Sequence, residues 1–279
     1  MMRLLHWIPL LLALTVLPAC TADAPESNEP NAPQTERPDA PAALHDTWAA
    51  HGGLDTWRSQ RQMRYTLARI AGSDTTRDDH LIDLQTRNVR ITNGDFVLGF
   101  NGNNAWVQPS LEAFPYDYSP RFYTSTYFYF FAMPFVLADD GVIASDAGTA
   151  TLNGTDYRVT DIRYEDNVGD SPDDVYVVYT KAETNELGLV RFSVTYGDRP
   201  PDAPNTALVY TDFATDNGIT LPVEGRYHAW NDSTLGDPLG PEFALSDVQF
   251  STDAPDPSLF AQPDSAQVDP LPSSDSNAE

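Results

Sequence analysis

The chain has 279 residues, 41% of them hydrophobic, which allows one large or two small domains with a real core. It carries 41 acidic against 16 basic residues, a net charge of −25, and its one lysine is Lys181. This balance excludes a nucleic-acid partner, because no basic patch could offset phosphate repulsion. The acids are scattered along the whole chain and read as a solvated, halophilic type of surface, since charges are screened within roughly 3 Å at 1 M salt.

The first nineteen residues form an address. Arg3 supplies a positive start, Leu4 to Leu17 an apolar run interrupted by His6, and Ala19 a small residue before Cys20. This is the pattern of a secretory signal, and the run is too short to span a bilayer. Cys20 is the sole cysteine, so a modified thiol is expected and not a disulfide framework. Leu17-Pro18-Ala19-Cys20 resembles a bacterial lipobox, with Pro18 in place of the usual small residue. The resemblance implies cleavage before Cys20 and lipidation of Cys20, giving a membrane partner through an N-terminal lipid anchor. Thr21 after the cysteine then points to the outer membrane, on its periplasmic or surface face. An ordinary signal peptide that happens to hold a cysteine is the alternative. Residues 20–41 are rich in Pro, Ala, Glu, Asp and Asn and predict a disordered tether. The acidic tail 264–279 has the same composition and the same expectation.

The folded domain is expected over 42–263. Asp39 and Pro41 mark a helix start, Leu44 and Trp48 recur one turn apart, and Gly52-Gly53 stops the helix. Leu54 and Trp57 begin a second helical turn. From Gln62 the period changes to two. Met63, Tyr65 and Leu67 alternate, as do His80, Ile82 and Leu84, which are read as running on to Val89 and Ile91. Four Asn-Gly pairs, at 93, 101, 153 and 217, punctuate alternating runs and predict hairpins. Val175–Tyr179 is a continuous β-branched and aromatic run, hence a central strand. A pair at 150–152 and 157–164 and further runs at 190–196, 207–213, 219–221, 225–230 and 243–250 complete about ten or eleven antiparallel strands.

One segment breaks the β pattern. Between Phe114 and Phe135 lie eleven of the chain's Phe and Tyr residues. As a strand, Tyr127, Tyr129 and Phe131 would face one way; as a helix from Pro120 to Ala132, the preferred reading, Tyr123, Tyr127, Phe130 and Phe131 share one face, and Pro134 ends either element. Tyr hydroxyls would then sit at a rim, where water or a partner can reach them. Tyr123, Tyr127, Phe130, Phe131 and Phe135 are therefore the candidate ligand-binding residues. A core plug is the competing use of the same side chains.

No catalytic residue, metal site or cofactor site is expected. The histidines have no H-x-x-x-H spacing, and there is no nucleophile elbow or phosphate-cradling loop. His51 before Gly52-Gly53 reads as a helix C-terminal cap. Asp166, Asp170, Asp173 and Asp174 are spaced for a calcium site, although such clusters arise easily in a chain this rich in Asp. Carboxylate-pair hydrolysis stays open, because the spacing that matters is spatial.

His51-Gly52-Gly53 with Trp57, the segment Tyr129-Phe130-Phe131-x-x-Pro134-Phe135-x-Leu137-x-Asp139, and the closing Asp256-x-Ser258-x-Phe260-x-x-Pro263 resemble a family of uncharacterised bacterial lipoproteins. That family is similar to the LolA/LolB-like lipoprotein-carrier superfamily. The resemblance covers residues 43–263. It implies a mainly β (α+β) fold, a strongly curved antiparallel half-barrel with an N-terminal helix and the inserted aromatic helix. It also implies a cavity for a lipid, an acyl chain or another apolar ligand, such as the lipid of a lipoprotein. The expected function is thus non-enzymatic binding at a membrane. A plugged structural module of the cell envelope and an extracellular hydrolase are the alternatives.

Overall fold

A computed structural model describes residues 37–271, apart from residues 167, 198, 200–203 and 232. Cys20, the expected signal peptide and the expected tether up to residue 36 lie outside the described residues.

Two short helices open the fold, α1 (Ala42–Ala50) and α2 (Leu54–Ser59). Leu44 and Trp48 of α1 and Trp57 of α2 are buried. Five strands follow: β1 (Gln62–Ala71), β2 (Asp74–Asp83), β3 (Val89–Thr92), β4 (Val97–Phe100) and β5 (Ala105–Gln108). The aromatic segment then forms α3 (Pro120–Phe131), and a buried 3-10 turn follows over Phe135–Ala138. Seven further strands are β6 (Val142–Leu152), β7 (Thr155–Tyr164), β8 (Val175–Lys181), β9 (Leu187–Ser193), β10 (Thr206–Asp216), β11 (Ile219–Asn231) and β12 (Thr234–Ser251). The last, β13 (Gln267–Asp269), is short.

All thirteen strands belong to one antiparallel sheet, ordered β13-β5-β4-β3-β2-β1-β12-β11-β10-β9-β8-β7-β6. Its two end strands do not pair with one another, so the sheet is an open half-barrel, as expected. The order also explains the place of α3. β5 and β6 are successive strands, yet they lie near opposite ends of the sheet. The chain between them must cross a face of the sheet, and it crosses the apolar one. Met63, Tyr65 and Leu67 of β1, Ile82 of β2 and Leu98 of β4 share one core with Tyr123, Tyr127, Phe130 and Phe131 of α3. Burying each such side chain contributes about 1.5–3 kcal/mol.

The strand count exceeds the expected ten or eleven for two local reasons, the split of the His80–Ile91 run and the added β13, and β6 is longer than its expected part at 150–152. The alternation from His80 to Ile91 is interrupted at residues 83–88. The Asp83 carboxylate accepts the backbone N–H of Gln85 and of Thr86, and Arg87 takes φ 59°. No Gly or Pro marks that turn. β6 begins eleven residues before its Asn-Gly turn, but it is an edge strand with mostly exposed residues, so its first part shows little alternation. β13 pairs with β5 through Gln267↔Val107 and Asp269↔Ala105.

β13 corrects the expectation of a loose tail from residue 264. Asp269 accepts from Ser119 Oγ at 2.5 Å and from Arg121 N at 2.8 Å, placing a carboxylate on the N-terminus of α3. Its charge complements the helix dipole there. The folded domain likewise starts earlier than residue 42, because Arg37 donates to the carbonyls of Asp139 at 2.9 Å and Val142 at 2.6 Å.

The Asn-Gly pairs divide by turn length. Asn153-Gly154 and Asn217-Gly218 are two-residue hairpin turns with positive φ at both residues. At Asn93 and Asn101 the loops are longer. There the Asn side chain accepts backbone N–H groups, from Asp95 and from both Asn103 and Asn104.

Candidate functional site

The residues of the His51-Gly52-Gly53 motif hold α1 against the sheet. His51 is fully buried. Its Nε2 accepts Leu187 N–H at 3.1 Å, so the proton sits on Nδ1, which donates to Thr220 O at 2.8 Å. Burial lowers its pKa. The side chain therefore ties β9 to β11, whereas a capping role at the end of α1 was expected. Its backbone N–H does close that helix, on Thr47 O and Trp48 O. Gly52 has φ 112°, and a Cβ there would lie 2.0 Å from Gly218 O. Only glycine fits.

α3 begins with Ser119, which accepts Phe122 N–H, and with Pro120 at its first position. Arg121 is buried and donates to both oxygens of Asp170, at 2.6 and 3.1 Å, and to Asn103 O at 2.8 Å. This clamps the helix to the β4–β5 and β7–β8 loops. Beyond the C-terminus of α3, Trp48 Nε1 donates to Pro134 O at 3.1 Å, and the Trp57 ring stacks on Phe135 at 4.8 Å. Arg87 Nη2 reaches both oxygens of Asp139, at 2.6 and 2.7 Å. The motif residues Trp57, Pro134, Phe135 and Asp139 thus act as fasteners.

Two clefts remain beside the fastened helix. The first, about 220 Å³, lies toward β6–β8 and includes Tyr129, Tyr164, Tyr176, Tyr196 and Asp174 in its lining. The second, about 310 Å³, lies toward β9–β11 and is walled by Tyr118, Tyr127, Phe192, Val194 and Tyr227, with Leu239 at its edge. Phe122, Thr126 and Phe130 line both. They recur every fourth residue, so one stripe of α3 forms the ridge between the clefts. The second cleft has no charged side chain in its wall, and its volume is at the small end of the range for ligand cavities, about 300–1,000 Å³.

The five expected ligand residues separate accordingly. Phe130 lines both clefts and Tyr127 the second. Tyr123, Phe131 and Phe135 are fully buried and fill the core. Nor do all the tyrosine hydroxyls sit at a rim. Tyr123 OH points into the sheet and donates to buried Asp78 at 2.5 Å, alongside Tyr116 OH. Tyr129 and Tyr164 hydrogen-bond to one another. The wall residues from the strands, Tyr164, Tyr176, Phe192 and Tyr227, were not singled out from sequence. Their signal was an aromatic at a strand position, which core strands away from the clefts, such as β1 with Tyr65, also carry.

A second polar group lies under α3. His80 stacks on Tyr65 at 4.6 Å and 17°, and neither of its ring nitrogens has a hydrogen-bond partner among the described residues. Tyr65 OH and Asp78 Oδ1 are likewise unpartnered there. Burial lowers the His80 pKa to about 3.

The acids do not assemble an ion site. Asp170 is taken by Arg121 and Asp174 by Thr195, and no three His, Cys, Asp or Glu side chains group to hold a metal among the described residues. Of the four acids spaced for a calcium site, Asp170 and Asp174 thus have their side chains turned to separate partners. Asp139, Asp140, Asp170 and Asp174 all border the first cleft. Of these, Asp139 and Asp170 are each held by an arginine.

The model of DUF6503, a family of unknown function, matches residues 85–200. No curated protein matches the chain. Among solved structures, the chain is similar to a LolA superfamily protein from Nitrosomonas europaea, at 13% identity over 75% of this chain and 96% of that one, with a TM-score of 0.47. It is also similar to a DUF1329 family protein from Desulfovibrio piger, at 10% identity over 75% and 92% of the two chains, with a TM-score of 0.43. A Vibrio parahaemolyticus domain described as an outer membrane lipoprotein-sorting protein gives 13% identity, 78% and 94% coverage, and the same score of 0.43.

Proposed function

We propose, for a chain with a LolA/LolB-like open half-barrel, that it binds an apolar chain such as that of a lipid in the clefts beside α3. The observation that carries this reading is the pair of aromatic-walled clefts sharing the Phe122–Thr126–Phe130 ridge. An acyl chain needs a narrow, dry trough, and it needs no reactive group. The role is non-enzymatic, in keeping with Asp139 and Asp170 at the first cleft each being held by an arginine. In this reading Cys20 carries the lipid anchor, and the protein works at the bacterial outer membrane, on its periplasmic or surface face.

The test is binding of an uncharged fluorescent long-chain alcohol to the protein purified without its anchor. Thr126→Trp, which places an indole on the ridge, abolishes binding while leaving the melting temperature within a few degrees. Absence of binding by the unaltered protein would refute the reading. It would favour a plugged structural module, for which the burial of Tyr123, Phe131 and Phe135 already speaks.

A further inference from the structure

The first cleft differs from the second in its charge. It is bordered by four carboxylates, and no Lys or Arg belongs to its lining. Arg87 and Arg121 neutralise Asp139 and Asp170 from behind. Asp140 is exposed to solvent. Asp174 is the exception, because its side chain is buried, with a relative exposure of 8%. Its partners are neutral donors: Thr195 N at 2.6 Å, Thr195 Oγ1 at 2.8 Å and Tyr176 OH at a long 3.4 Å. No ion pair to it occurs among the described residues. A buried carboxylate without a counter-charge is costly, and neutral hydrogen bonds offset only part of that cost. Consistent with this, burial raises the Asp174 pKa even though the Thr195 bonds lower it.

The walls beside that carboxylate are aromatic. Tyr129, Tyr164 and Tyr176 form a mutual cluster with ring centroids 5.3, 6.0 and 6.4 Å apart. Burial raises the pKa of all three, so they stay neutral phenols. Electron-rich rings next to a carboxylate that has no counter-charge attract a cation, and an alkylated ammonium most of all, because it is weakly hydrated and gains from the rings. An anionic headgroup meets the opposite conditions: no basic donor and an acidic border.

We infer that the first cleft takes the headgroup of a cationic amphiphile, an alkylammonium held between Asp174 and the Tyr129–Tyr164–Tyr176 wall, with its chain passing over the Phe122–Thr126–Phe130 ridge into the second cleft. This rests on the proposed function and adds the charge of the ligand to it.

The test is isothermal titration calorimetry with dodecyltrimethylammonium, dodecanol and dodecanoate, all below their micelle concentrations. These three share a chain and differ in charge. The work is done in 1 M NaCl, where the diffuse field of the acidic surface is screened within about 3 Å. The cation binds more tightly than dodecanol, and dodecanoate most weakly. Asp174→Asn weakens the cation by roughly tenfold, a factor typical of losing one partly desolvated charge contact, and leaves dodecanol unchanged. Should Asp174→Asn fold poorly, Tyr164→Leu at a partly exposed wall position keeps the test open, with a severalfold loss for the cation alone. Equal affinity for the three ligands, or an Asn variant that binds the cation as before, would overturn the inference while leaving the apolar clefts intact. Binding of none of them would overturn the proposed function as well. Tetramethylammonium binding as tightly as the dodecyl cation would overturn the amphiphile.

Discussion

The buried His80 offers the sharpest quantitative test of the core beneath α3. Its imidazole behaves as an aromatic ring, stacked on Tyr65 and 5.8 Å from Tyr123, with both nitrogens unpartnered among the described residues. The ring is neutral in the folded protein, because burial lowers its pKa to about 3. In the unfolded chain it titrates near 6.5. The folded value is depressed, so the unfolded chain takes up the proton first as pH falls. Stability is complete above about pH 6.5 and is lost as pH falls from there toward 3. Linkage gives a loss of about 2 kcal/mol from this one group between pH 8 and pH 5. His51 acts in the same direction, so a single pH titration of the natural protein mixes the two. Comparison with His80→Phe separates them. The variant keeps the stack and removes both unpartnered nitrogens, at the expense of some packing strain. At pH 8 its stability stays within about 2 kcal/mol of the natural protein. At pH 5 it is more stable by about 2 kcal/mol relative to that baseline. Urea unfolding at the two pH values measures both. An identical pH slope for the two proteins would refute the reasoning, and so would a loss above about 3 kcal/mol at pH 8.

Gly52→Ala forces a side chain into Gly218 O at φ 112° and lowers stability by about 2–5 kcal/mol in urea unfolding, the sum of strain and overpacking. Truncation after Pro263 removes β13 and the Asp269 carboxylate from the start of α3; a loss of about 1–3 kcal/mol in the same assay is expected. Phe131→Ala costs about 3–5 kcal/mol because that ring is enclosed. Phe122→Ala on the partly exposed ridge costs less and enlarges both clefts, so thermal melts together with long-chain alcohol titrations distinguish filler from wall.

Local chemistry was legible in the sequence wherever one residue type has one physical use. Asn153-Gly154 and Asn217-Gly218 turn because both residues accept positive φ, and α3 starts at Ser119-Pro120 because one supplies a cap and the other the required φ. The alternating runs placed most strands, since one face of each is buried. The period fails where burial does, as in the exposed half of β6, or where a side chain such as Asp83 makes a turn without Gly or Pro. Composition suggested a loose tail from residue 264, yet Asp269 finds the N-terminus of α3, which has no acidic residue in its own first turn.

For the aromatic segment between Phe114 and Phe135, the sequence by itself determined a bulky apolar element that breaks the β pattern and ends at Pro134, and the structure makes it a helix, α3. Which of its rings fill space and which border it depended on the sheet. β5 and β6 lie near opposite ends of the strand order, so the helix is drawn across the apolar face and pressed into it. That packing encloses Tyr123, Phe131 and Phe135 and leaves Phe122, Thr126 and Phe130 facing two clefts. Volume is a property of the facing surfaces together, and only the tertiary structure brings those surfaces into opposition.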